Sequence, residues 1–304
     1  MAIVTRASTA QIFSNNMRNI NDVQQSLFKG QNQISSGKKT DKFSGLNGQV
    51  EQFVFLEDRI NKLIRYEENN TINKARLETT KLALQDMTEI VDDMEDLMVL
   101  RRNGGIGKDA AFEQQMRSFV KSLGASLNTT FEGKFLFAGT ATNTPPVITE
   151  PEIPKSHTLG VPDTSYYQGS QENITMRLED TIEIEGLLRA DDSTFQNLFA
   201  AAFQSFEGDR LNDDEILKAA YNLIQAGKDQ LIAKTAQVSA DIVAVETTIE
   251  RQENLRLYYK GVVGEVSDTD ILEVSTQLSV DQTILQASFQ AFATINQLRL
   301  ADFL

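Results

Sequence analysis

Two Gly-Lys pairs are the residues whose spacing comes nearest to a nucleotide-binding motif. A phosphate loop reads G-x-x-x-x-G-K-[ST], because its backbone N–H groups and its lysine surround the phosphates. Neither Gly37-Lys38 nor Gly107-Lys108 has a glycine at the required earlier position or a Ser or Thr directly afterwards. We therefore interpret both pairs as loop residues.

One acidic run and one histidine are the other candidates for chemistry. The run Asp92-Asp93-Met94-Glu95-Asp96 lies in a predicted helix whose Met94 and Leu97 face inward, so its acids spread over the outer face. His157 is the single histidine and has no serine and acid at a recognisable spacing. The absence of cysteine excludes disulfides and thiolate metal sites. We therefore predict a chain that is not an enzyme, with no catalytic residue, no cofactor and no metal site.

The charge distribution argues against a nucleic-acid partner. The net charge is −14, and binding to phosphates needs clustered Lys and Arg. Residues 141–215 contain fifteen Asp/Glu and four Lys/Arg, whereas residues 1–45 contain two Asp/Glu and six Lys/Arg.

No stretch approaches the length of about 18 apolar residues that spans a membrane. The first sixteen residues also lack the apolar stretch of a cleavable secretory signal, so we expect any export to use another route.

The prolines indicate where helices are absent. All five lie between Pro145 and Pro162, and proline disrupts a helix interior by roughly 3 kcal/mol. The two flanking arms are free of proline and carry helical periodicity from Val50 to Asn103 and again from Asp213. Between the arms, the segments 134–140, 165–169, 174–178 and 181–185 have the composition of short strands.

Both ends of the chain carry apolar residues at the seven-residue spacing of a coiled coil. Phe13, Ile20, Leu27 and Ile34 form one such series, on a helix that is otherwise polar. The last segment is apolar on more than one face, so we expect neighbouring subunits to cover part of it. The residues that we predict to form the assembly interface are Phe13, Ile20, Leu27, Ile34, Val280, Ile284, Ile295, Leu298, Phe303 and Leu304.

The predicted fold is mainly α with a small β domain. We expect a long antiparallel helical bundle, or coiled-coil rod, built from both chain ends, with a β-rich insert in the middle. Residues 1–44 and 266–304 would form an inner terminal coiled coil, 45–134 and 191–265 a long-helix rod, and 135–190 the β-rich outer domain. Joints are predicted at residues 35–45 and around Gly261, Gly264 and Ser267 to Asp270, where glycine, serine and charge interrupt the periodicity.

Several segments resemble the bacterial flagellin superfamily, and within it the hook-associated proteins. They are Asn16-Met17-Arg18, Ile34 to Lys39, Phe135 to Val147, Tyr166 to Asp180 and Leu285 to Leu304. The ending Asp302-Phe303-Leu304 is more similar to the hook-associated branch than to flagellins, which usually close with arginine. One departure is the joint at 40–44, which reads Thr-Asp-Lys-Phe-Ser where relatives usually carry an Asp-Asp pair.

This resemblance implies a structural protein that links the hook to the flagellin filament. The partners implied are further copies of the chain in a ring, hook-associated protein 1, flagellin and an export chaperone. The implied location is the extracellular flagellum, reached by flagellar type III export. The alternatives are a filament-forming flagellin and, from another class, a type III secretion tip or translocator protein. An enzyme within residues 135–190 is the least favoured interpretation.

Overall fold

The computed structural model describes residues 2–40, 48–104, 110–148, 165–185 and 188–301. The chain divides into two compact units, one formed by residues 1–62 with 255–304 and the other by residues 63–254. The described helices are α1 (Ala2–Ser36), α2 (Val50–Arg102), α3 (Ala110–Leu127), α4 (Ser193–Leu211), α5 (Asp214–Ser267) and α6 (Ile271–Ala301). The described strands are β1 (Thr130–Phe131), β2 (Lys134–Phe135), β3 (Thr175–Arg177) and β4 (Glu183–Glu185). The prediction of a mainly α fold with a small β part is confirmed.

Helices α2 and α5 run antiparallel within the unit of residues 63–254. Lys74 Nζ lies 2.7 Å from Glu246 Oε1, and further along α2 Glu95 Oε2 lies 3.0 Å from Lys228 Nζ. The residue numbers of the α5 partners therefore decrease as those of the α2 residues increase, which is the pattern of antiparallel helices. A series of apolar residues seven apart on α5 is buried throughout, at 0–3% exposure. Its members are Leu217, Ile224, Leu231, Val238 and Val245.

The middle segment shares one hydrophobic core with these helices. The Phe137 ring meets the Phe195 ring of α4 edge-on at 6.0 Å, and the Tyr166 ring lies 4.6 Å from that of Phe199. The Tyr166 hydroxyl donates to the carbonyl oxygen of Ala190 at 2.7 Å, so its one polar atom is satisfied inside the core. The predicted borders of a separate β domain at 135 and 190 stay a prediction.

The β structure is shorter than the sequence predicted. β1 pairs with β2 and β3 with β4, each antiparallel, but residues 136–140 form turns rather than a strand. The reason is Gly139, whose φ of +60° is left-handed and whose added Cβ would lie 2.4 Å from the carbonyl oxygen of Ser170. Residues 165–169 contribute only a single bridge, between Val147 and Tyr167. Residues 149–164, with His157 and three of the prolines, lie outside the described residues.

The second joint is also shorter than predicted. Helix α5 continues through Gly261 and Gly264 to Ser267, and only residues 268–270 separate it from α6. A glycine inside a helix costs about 1 kcal/mol relative to alanine, which the neighbouring turns of a long helix can offset. The predicted break at Gly261 and Gly264 is therefore wrong, whereas the break at 268–270 is confirmed.

Asp192 is the N-cap of helix α4. Its carboxylate accepts hydrogen bonds from the Thr194 backbone N–H at 3.0 Å and the Thr194 hydroxyl at 2.7 Å. It also lies 2.9 Å from the Lys234 ammonium of α5. Burial by itself would raise the pKa of Asp192, but these donors together hold the pKa below its usual value.

We expect Asp192→Ala to lower the free energy of unfolding by about 1–2 kcal/mol at pH 7, because the helix loses its N-cap. The depressed pKa means that this contribution is present above about pH 3.9, the unfolded value, and is lost as pH falls through the folded pKa. The difference between variant and wild type should therefore shrink in acid, measured by urea unfolding at pH 7 and pH 3. Asp241→Asn on α5 is the control. Because burial raises the pKa of Asp241, removing its charge should change the free energy of unfolding at pH 7 in the opposite direction.

Candidate assembly surface

Helix α1 presents its covered residues at alternating intervals of three and four. Ile20 is 5% exposed, and the other members of this stripe are half-buried or small. The stripe contains all four predicted residues of α1. Its members are Phe13, Asn16, Ile20, Val23, Leu27, Gly30 and Ile34. This spacing is that of a coiled-coil seam, in which one narrow face meets one partner helix.

The partner of α1 is α6, which runs antiparallel to it within the unit of residues 1–62 and 255–304. The rings of Phe13 and Phe292 lie 5.1 Å apart at one end. At the other end, an added Cβ on Gly30 would lie 3.1 Å from Leu278 and 3.4 Å from Val274. The inner stripe of α6, which faces α1, consists of Val274, Leu278, Asp281, Leu285, Ser288 and Phe292.

Val280 and Ile284 lie on a second face of α6. They are 46% and 44% exposed in the isolated chain, and their place in the assembly interface stays a prediction. With the exposed Ala287 and Ala291 they form the outer stripe, again at intervals of four, three and four. A helix with two such stripes requires two partners, and the chain itself covers one.

The remaining predicted interface residues are not described at the level of side chains. Ile295 and Leu298 lie within α6, but their side chains fall outside the described set, as do residues 302–304 with Phe303 and Leu304. Their place in an assembly interface stays a prediction. The sequence analysis did not select Gly30 and Asp281 as residues of this contact. A glycine and an acid at seam positions of amphipathic helices are features from which both could have been selected.

The two joints next to these helices pair with each other. Lys38 and Asp268 form an antiparallel bridge, in which the Lys39 N–H donates to the Ser267 carbonyl at 2.8 Å and the Thr269 N–H to that of Gly37 at 2.9 Å. The Lys39 ammonium donates to the carbonyl oxygen of Glu265 at 2.7 Å, near the end of α5. A cation there satisfies carbonyls that a helix end leaves without partners. The bridge fixes where α6 starts relative to the end of α1.

The acidic run of α2 lies on a solvated helix surface, as expected. Asp92 and Glu95 share the ammonium of Lys228, at 2.7 and 3.0 Å. The hydrogen bond from Lys228 lowers the pKa of Glu95, while Asp92 and Glu95 raise that of Lys228. Across the described ranges no three His, Cys, Asp or Glu side chains are grouped to hold a metal ion. No described helix is both long and apolar enough to cross a membrane.

The sequence also matches a known family over a little under half of its length. Residues 7–142 match the family described as the bacterial flagellin N-terminal helical region. Over these residues the chain is similar to bacterial flagellin. The resemblance inferred from the quoted segments is therefore confirmed.

Flagellar hook-associated proteins are also similar to the chain over most of their own length. The chain is 24% identical to flagellar hook-associated protein 3 of Escherichia coli K12 over 324 aligned positions, covering 97% of this chain and 98% of that protein. Two solved structures share the fold at 17% identity. A proposed flagellar hook-associated protein from Vibrio parahaemolyticus has a TM-score of 0.59 over 71% of this chain and 96% of its own, and Bacillus cereus FlgL has 0.56 over 69% and 98%.

Proposed function

We propose that this chain is a structural adaptor of the bacterial flagellum that joins the hook to the flagellin filament. The observation that carries the proposal is the outer stripe of α6, an apolar face with coiled-coil spacing that the chain leaves exposed. The similarity to hook-associated protein 3, over nearly the full length of both chains, is the reason for proposing that this assembly is part of the flagellum.

The adaptor acts by burying apolar surface and carries out no covalent chemistry. Copies of the chain form a ring, with hook-associated protein 1 on one side and flagellin on the other. The outer stripe of each copy packs on the terminal helices of a neighbour, so that Val280 and Ile284 leave water only in the assembly. The predicted residues Ile295, Leu298, Phe303 and Leu304 extend the same interface toward the C-terminus.

Delayed burial suits a protein that is exported before it assembles. The chain is extracellular and leaves the cell unfolded by flagellar type III export, accompanied before export by a chaperone. The contact between α1 and α6 is narrow, and most helix stability in water comes from packed apolar area. The terminal helices therefore gain most of their stability only where a template supplies further contacts, which prevents polymerisation inside the cell.

A deletion strain tests the proposal directly. Without this chain, cells should carry hooks that lack filaments and should release flagellin into the medium, and the wild-type chain supplied in trans should restore attached filaments. Electron microscopy of the cells and immunoblotting of the medium give the two measurements. Filaments that remain attached to hooks in the deletion strain would show that the chain is not the junction.

A filament-forming flagellin is the second candidate, because residues 7–142 match a region described for flagellin itself. The two functions differ in self-propagation, since a flagellin adds to its own ends without limit. Purified chain should fail to elongate filament fragments used as seeds. Long filaments grown from such seeds would favour the flagellin assignment.

A further inference from the structure

Asp281 is a carboxylate buried in the contact between α1 and α6. The residue is 4% exposed, and one oxygen, Oδ1, accepts a hydrogen bond from Gln277 Nε2 at 2.8 Å. The other oxygen, Oδ2, is buried and has no hydrogen-bond partner among the described residues. A buried carboxylate oxygen without a hydrogen-bond partner is unfavourable, so a native structure that keeps one needs an explanation.

This carboxylate lines a cavity of about 630 Å³ between the two helices. Ser26 and Gly30 of α1 line this cavity, opposite α6. Three further acids, Asp268, Asp270 and Glu273, lie around it. A carboxylate oxygen without a partner is a suitable acceptor for the charge-assisted hydrogen bonds of a guanidinium or an ammonium.

We propose that this cavity receives the guanidinium of Arg18 from a second copy of the chain. This inference rests on the proposed function, because it requires a second copy of the chain in the same assembly. The two terminal segments are complementary in charge: residues 1–45 contain six Lys/Arg and two Asp/Glu, whereas residues 266–304 contain one and five. A basic N-terminal segment of one copy is therefore attracted to the acidic C-terminal segment of the next.

Arg18 is the cation on α1 that fits this role. It lies on the exposed side of the helix, and its described hydrogen bond goes to a neutral amide oxygen of its own helix, Asn15 Oδ1, at 2.8 Å. Its planar group donates two parallel hydrogen bonds to a carboxylate. Lys29 and Lys39 line the cavity in the same copy and are the intramolecular rivals, although the Lys39 ammonium already donates to the carbonyl oxygen of Glu265 at 2.7 Å.

The inference predicts that replacing Asp281 changes thermal stability and retention on hooks in opposite directions. A purely structural carboxylate would not have this combination of effects. Asp281→Asn keeps the side-chain shape and removes the buried charge, so the isolated chain should unfold at a higher temperature. The same change removes the acceptor for Arg18, so retention of the purified full-length chain on hooks isolated from the deletion strain should fall at least tenfold. Arg18→Gln should reduce retention to the same extent and leave the unfolding temperature unchanged.

Exchanging the charges of Arg18 and Asp281 tests whether they form a pair, and the neighbouring acid Glu273 supplies the control. The double variant Arg18→Asp with Asp281→Arg should recover most of the retention that each single variant loses. Glu273→Gln removes one charge from an exposed position on the cavity wall and should change retention less than twofold. Circular dichroism of each variant verifies that the helices are intact.

The possible failures are distinguishable. If the wild-type chain is not retained on the hooks, the proposed function fails and this inference with it. If the wild type is retained and Asp281→Asn is retained equally, only the inference is overturned. If Asp281→Asn and Lys29→Gln both lower the unfolding temperature, Lys29 of the same copy satisfies the carboxylate, which also overturns it.

Discussion

Replacing Val280 and Ile284 together by aspartate should abolish filament attachment and leave the isolated chain as stable as wild type. Both side chains are nearly half exposed in the isolated chain, and exposed substitutions change stability by about 0.5 kcal/mol or less. In the proposed ring the same positions are buried against a neighbour, where an unpaired aspartate costs several kcal/mol. The measurements are attached filaments by electron microscopy and thermal unfolding of the purified variant.

The control places the same two charges elsewhere on α6. Ser279 and Gln286 are exposed, lie seven residues apart and are outside the outer stripe. Changing both to aspartate should leave attachment at the wild-type level. Because a failure of export would imitate a failure of assembly, the amount of each variant released into the medium is measured as well. Normal attachment by the Val280 and Ile284 variant would remove the outer stripe from the interface.

The second large effect concerns the buried ion pair between Arg101 at the end of α2 and Asp209 near the end of α4. The side chains are 10% and 9% exposed, and the Arg101 Nε group donates directly to the carboxylate. A second guanidinium nitrogen lies 3.2 Å from the amide oxygen of Asn212. Arg101→Met should lower the free energy of unfolding by about 3–5 kcal/mol, because it leaves the Asp209 carboxylate buried without a partner.

Urea unfolding at neutral pH measures this loss. The double variant with Asp209→Leu should recover much of it, since neither charge is then left unpaired. Arg210→Met is the matched control, because Arg210 pairs with Glu207 on the surface, where its side chain is 69% exposed, and should leave the free energy of unfolding almost unchanged. A loss below about 1 kcal/mol for Arg101→Met would mean that water reaches the pair in solution.

Helix positions were predictable because the signals that set them are local. Proline excludes helix wherever it occurs, and a seven-residue apolar series such as Leu217 to Val245 specifies a helix and its buried face together. The N-cap at Asp192 was readable for the same reason, because it depends on residues two or three positions away. The short strands were less predictable, since the turn at Gly139 depends on the carbonyl of Ser170, thirty-one residues further along the chain.

The sequence by itself determined that α6 has two apolar stripes with coiled-coil spacing and that α1 has one. Only the tertiary structure decided which stripe α1 covers, because both satisfy the same local periodicity. Gly30 lets α1 approach Leu278 and Val274, and the rings of Phe13 and Phe292 meet at the other end. That choice buries Asp281 and leaves Val280 and Ile284 exposed, since packing depends on the shape of both helices rather than on the pattern of either.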